Sequence, residues 1–166
     1  MQQSTDTCGP ACGRLILGYY GINVAEYDFQ EMSTSLAKNY EDYTYASVIA
    51  RTLNYYLGAN GNSIRYQDKY FNSYSAQGFT DYVLQNIMND RPVQIPVVID
   101  STTYFPYTSG GHYVVIKGMQ YSSSSEAYNS MINDPHYHYS NVYTVPINVI
   151  RSYNLAHSGC MICPTE

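Results

Sequence analysis

The hydrophobic period changes once along this chain, and that change limits the fold more than any other feature. Before residue 90 apolar residues recur at helical spacing; from Pro92 onward they come in extended, β-branched runs. The spacing predicts a helix that begins near Pro10 and runs to Gly21, with Pro10 suited to a first turn because its missing N–H would be unpaired there anyway. Further helices are expected over Glu26 to Lys38, Tyr45 to Leu57 and Phe79 to Met88, and a long connection over 58–75. Val93 to Ile99 and His112 to Lys117 read as strands, Ser122 to Ser125 as a turn, Met131 to Asn133 as the partner strand, and Pro146 to Tyr153 as a last short helix. No repeat or low-complexity linker divides the 166 residues, so a single α+β domain is expected, with N-terminal helices packed on one side of a C-terminal antiparallel sheet.

The first helix is entered through Cys8, where free backbone N–H groups and the helix dipole favour an anion such as a nucleophilic thiolate. Taken alone, Cys8 reads equally well as a small buried hydrophobe or half of a disulfide. A base changes the balance. His112 opens a strand after Gly110-Gly111, and the midpoint between residues 112 and 134 falls at 123, inside the expected turn. In an antiparallel hairpin centred there, Asp134 stands opposite His112 on the same sheet face. A carboxylate in that position holds the imidazole in one tautomer while the other ring nitrogen faces the thiol. Acyl chemistry also needs oxyanion donors, which the Cys8 N–H and a side-chain amide upstream, Gln2 or Gln3, can supply.

Three blocks of sequence now stand together: Gln2-x5-Cys8-Gly9-Pro10-Ala11, then Gly110-Gly111-His112-Tyr113-Val114-Val115-Ile116, then Ile132-Asn133-Asp134-Pro135. In this order they resemble the C39-like cysteine peptidases of the papain-like superfamily. The resemblance implies a papain-like fold, a peptide or protein substrate, no cofactor, and four catalytic residues: Cys8 as nucleophile, His112 as base, Asp134 as orienter and Gln2 as oxyanion donor. The bacteriocin-exporter members usually carry Asp before the cysteine, whereas Thr7 stands here. Gly111 and Tyr113 beside the base, and Tyr107 in the 101–109 segment, are the candidate substrate contacts.

Composition narrows the partners. Only 13% of residues are charged and the formal charge is −5, which gives no electrostatic footprint for nucleic acid. No apolar run reaches the roughly 18–20 residues of a membrane span. Few Lys and Glu, many Tyr, Ser and Asn, and a terminal Cys160-x-x-Cys163 resemble an exported bacterial protein, either a mature chain with an added Met or a domain of a larger exported protein. Cys12 is expected to be buried packing or to be tied by a disulfide to Cys160 or Cys163. Other readings of the same residues are a zinc or copper site built from His136, His138 and the cysteines, a catalytically silent Tyr-rich module that binds peptides or glycans, and a papain-like acyltransferase or amidase.

Overall fold

In a computed structural model, residues 7–39, 44–136, 138–139 and 141–165 are described. Helices α1 (Cys8–Tyr19), α2 (Glu26–Leu36) and α3 (Ala46–Ala59) come first, followed by strand β1 (Tyr66–Tyr70) and helix α4 (Ala76–Met88). Strands β2 (Val93–Ile99), β3 (Ser109–Ser122), β4 (Ala127–Asp134) and β5 (Asn141–Pro146), helix α5 (Ile147–His157) and strand β6 (Cys160–Pro164) complete the order. The expected helices are all present, while the connection over 58–75 contains β1 and the sheet gains two further strands, β5 and β6, that the sequence reading did not assign.

The strands form one six-stranded sheet in the order β1-β6-β2-β3-β4-β5, every neighbouring pair antiparallel. Both faces are covered. Alternate residues of β2 (Val93, Ile95, Val97, Ile99), with Val114, Ile116 and Ile132, pack against Phe79 and Val83 of α4 and Ile147 and Ile150 of α5. The other face, through Tyr66, Val115 and Ile162, holds Cys12, Ile16 and Leu17 of α1 with Phe29, Ile49 and Leu53 of α2 and α3. The helices therefore lie on both sides of the sheet rather than one. Helix α1 packs closely because two of its residues lack side chains: a Cβ at Gly13 would overlap the Phe29 ring, and one at Gly9 would come 2.7 Å from Ile49 Cδ1.

The β3–β4 hairpin turns over Ser123 to Glu126, one residue later than the sequence suggested, with Glu126 in the left-handed region at φ 50°. Near the turn Ser122 stands opposite Ala127 and Gly118 opposite Met131. Lys117 is then bulged out, so that Ile116 faces Ile132 and Val115 faces Asn133. This ladder leads Asp134 to a position beside Val114, one diagonal step from His112, instead of directly opposite it. The bulge also decides the face. In the register of the turn Asp134 would fall opposite Val115, whose side chain points to the other side of the sheet from His112.

Candidate active site

Asp134 ends β4 with its side chain fully buried. Three donors meet its two oxygens. His112 Nε2–H donates to Oδ1 at 2.8 Å, the His136 backbone N–H donates to the same oxygen at 2.9 Å, and the Tyr107 hydroxyl donates to Oδ2 at 2.6 Å. A buried carboxylate is tolerable only with such partners. The remaining nitrogen of His112, Nδ1, does not contact Asp134, and the Cys8 thiol stands close enough to the ring to raise its pKa. Burial of the imidazole, only 4% exposed, pulls its pKa down, but the hydrogen bonds to Asp134 and Cys8 outweigh that and raise it from 6.5 to about 9.

Cys8 is the first residue of α1 and half-buried, whereas the other three cysteines are buried. The helix that carries it is fixed to the sheet beneath by polar contacts as well as apolar ones. Gln94 Nε2–H donates to the Gly9 carbonyl at 3.1 Å, and the Cys12 thiol donates to the Tyr113 carbonyl at 3.2 Å. Burial pushes the Cys12 pKa well up, which keeps this second thiol on α1 protonated as a packing group. Thr7, just before Cys8, is buried, and its carbonyl accepts the Ala11 N–H at 2.9 Å, which starts the helix.

The other sequence-derived candidates divide. Gly111 is exposed, and a Cβ there would lie 3.4 Å from His157 Nε2. Tyr113 is half-buried, with its ring beside Gly9 and its hydroxyl donating to the Thr44 carbonyl at 3.1 Å. Tyr107 stands elsewhere than expected: it is 9% exposed and its hydroxyl is committed to Asp134, so it supports the carboxylate from behind. The 101–109 segment likewise turns Phe105 into the core. Gln2 and Gln3 lie outside the described residues.

The cysteines are all free thiols. Cys12 and Cys163 belong to cores on opposite faces of the sheet, which prevents the disulfide expected between α1 and Cys163; Cys160 is likewise unpaired. Among the described residues no three His, Cys, Asp or Glu side chains come together as a metal-binding group. His136 accepts the N–H groups of His138 and Tyr139 on its Nδ1, at 3.2 and 3.3 Å, and stacks on Tyr107.

Sequence reasoning passed over Gln94 and the Tyr107 contact. Gln94 had a usable signal. It is the one polar side chain in the run Val93 to Ile99, and a polar group in a strand buried on both faces must find a partner.

A thiol at a helix start, an imidazole and a buried carboxylate, carried by an α+β fold with a six-stranded antiparallel sheet, define the class as that of the C39 peptidase-like proteins. The Peptidase_C39 like family matches residues 1–160, and the chain belongs to it. Among solved structures it is similar to a protein described as a C39-like peptidase from Bacillus anthracis, at 14% identity and TM-score 0.61, over 97% of this chain and 90% of that one. It is also similar to the peptidase domain of Streptococcus ComA, a bi-functional ABC transporter involved in quorum sensing, at 19% identity and TM-score 0.59, over 99% and 96% of the two chains. At such identities the likeness speaks for the fold. No curated protein matches significantly in sequence. No helix of the described residues is long and apolar enough to cross a membrane.

Proposed function

We propose that this C39-like peptidase hydrolyses peptide or isopeptide bonds through an acyl-enzyme on Cys8, in the manner of papain-like cysteine peptidases. The observation that carries the reading is the commitment of His112 Nε2 to Asp134, at 2.8 Å, with the opposite ring nitrogen left to the thiol. Cys8 sulfur, whose proton has already passed to His112 Nδ1, attacks the carbonyl carbon as a thiolate. The oxyanion is held by the Cys8 backbone N–H, which has no helical partner so early in α1, and the family resemblance assigns the second donor to Gln2, outside the described residues. His112 protonates the leaving amine as the C–N bond breaks, then takes a proton from water, whose oxygen attacks the thioester and releases the acid and the thiol. Asp134 holds the ring in place throughout and touches no reacting atom; Tyr107 is a positioning residue behind it.

Cys8→Ala and His112→Ala should abolish cleavage of a peptide library, while Asp134→Asn, which keeps an acceptor oxygen for the ring, should leave partial activity. Mass analysis of the products distinguishes hydrolysis from acyl transfer. Full activity in Cys8→Ala would overturn the assignment.

A further inference from the structure

A cavity of about 290 Å³ opens on the α1–α3 side of the sheet, lined by Tyr45, Asp68, Tyr70, Pro96, Tyr113 and Cys160, with Ala46, Ser47 and Ser158 at its edge. It adjoins the catalytic residues on two sides. Tyr113 follows His112 in β3, and its ring lies 3.5 Å from where a Cβ of Gly9 would sit, next to Cys8. Ser158 follows His157, whose ring faces Gly111. An extended chain advances roughly 3.3 Å per residue. A substrate bond held at Cys8 therefore sets a side chain only one or two residues away at the mouth of this cavity.

The chemistry of the walls is specific. Asp68 is the single charged residue among the described residues that line it. It alternates with Tyr66 and Tyr70 on β1 and so faces the helices, across from Ile162, with Tyr70 across from Cys160. Its carboxylate has no ion-pair partner among the described residues. The adjacent cation, Lys69, projects from the other face and lies over the Tyr82 ring at 4.3 Å. Tyr45 and Tyr70 are 59% and 61% exposed, and Tyr113 closes the inner side, so three phenol rings surround one unpaired negative charge. The first turn of α3, Ala46 and Ser47, contributes a positive helix end, but that amounts to roughly half a charge, less than the carboxylate's whole one.

We infer that this cavity is a side-chain subsite for a lysine or arginine of the substrate, read by Asp68 and the rings of Tyr45, Tyr70 and Tyr113. The apolar stem of such a side chain lies along the rings and the cationic head meets both the carboxylate and the π faces. The inference rests on the peptidase reading for the orientation of the chain, and it adds the class of residue beside the scissile bond. Glutamate is disfavoured by repulsion, and a neutral chain of the same length lacks the charge terms.

The test has a cleavage arm and a binding arm. Quenched peptides randomised on both sides of the scissile bond are cleaved by the wild-type protein and by Asp68→Asn. The same peptides, labelled and carrying Lys or norleucine at the selected position, are titrated into the Cys8→Ala protein with and without Asp68→Asn. A lysine preference of about tenfold over norleucine is expected in both arms, as an exposed ion pair and a cation–π contact together supply. It should collapse towards parity in Asp68→Asn, with the norleucine peptide little changed. Equal binding of the two peptides, a preference for glutamate or an aromatic residue, or a lysine preference that survives Asp68→Asn each overturns the subsite. Lysine-selective binding with no cleavage of any peptide leaves the subsite standing and removes the peptidase reading instead.

Discussion

Asp134 takes three donors on two oxygens, and because they differ in kind their removal should have separable effects. Tyr107→Phe deletes the only donor on Oδ2 among the described residues and leaves that buried oxygen without it, at about 1–3 kcal/mol of stability, while the bond to His112 at 2.8 Å survives. Its melting temperature should therefore fall more clearly than its turnover, with KM unchanged. Asp134→Asn reverses that order and changes the pH profile. His112 is raised from 6.5 to about 9, so its protonated form persists in the folded protein well above the pH at which it is lost from an unfolded chain. The stability this proton contributes is complete below pH 6.5 and disappears as pH rises through about 9, where the alkaline limb of activity should also lie. With the carboxylate gone, burial dominates and both the limb and the loss of stability should move to lower pH. An alkaline limb in Asp134→Asn that coincided with the wild-type one would refute this role for the pair.

At the scale of elements the sequence was most legible where burial is one-sided or complete. The helical stripe of α1 and the apolar run of β2, interrupted only by Gln94, were apparent from spacing alone. Strands β1 and β5 were not, because each lies at an edge of the sheet, where Tyr-Gln-Asp-Lys-Tyr and Asn-Val-Tyr-Thr-Val-Pro keep polar and half-exposed residues. The cysteines and short length of β6 drew attention to cross-links rather than to a strand, although all five residues are buried. The pairing of His112 with Asp134 was legible as residue types in order, but its geometry came by another route. Neither the later turn nor the bulge at Lys117 has a residue-type signature, and the two together turn an opposed pair into a diagonal one on the same face. Deleting Lys117 removes only the unpaired residue and should leave Asp134 beside Val114, whereas deleting Asn133 should bring Asp134 opposite Val115 on the far face and lower kcat/KM at least as far as Asp134→Ala. Lys117→Ala keeps the extra backbone residue and should remain active. Circular dichroism checks that the chain without Asn133 is folded, and retained activity in it would show that the face on which Asp134 stands is immaterial.

For the whole molecule, the sheet divides the chain into two cores and sets the accessibility of its four thiols. Cys8 is half-exposed at the end of α1, while Cys12, Cys160 and Cys163 are buried on one side or the other. Alkylation of the native protein at neutral pH should modify Cys8 alone, with the rest reacting only in denaturant; uniform labelling of all four would contradict the packing described above. The strand order β1-β6-β2-β3-β4-β5 has a further consequence for how the molecule comes into being. The strand made last in chain order, β6, is inserted between β1 and β2, so the half of the sheet beneath α3 has no partner until residues 160–164 leave the ribosome. Cys8 precedes that strand by most of the domain, and the sheet against which α1 and α3 pack lacks Ile162 until β6 is made. While this domain is being made, the Cys8 thiol thus exists for most of the time without a finished sheet beneath its helix.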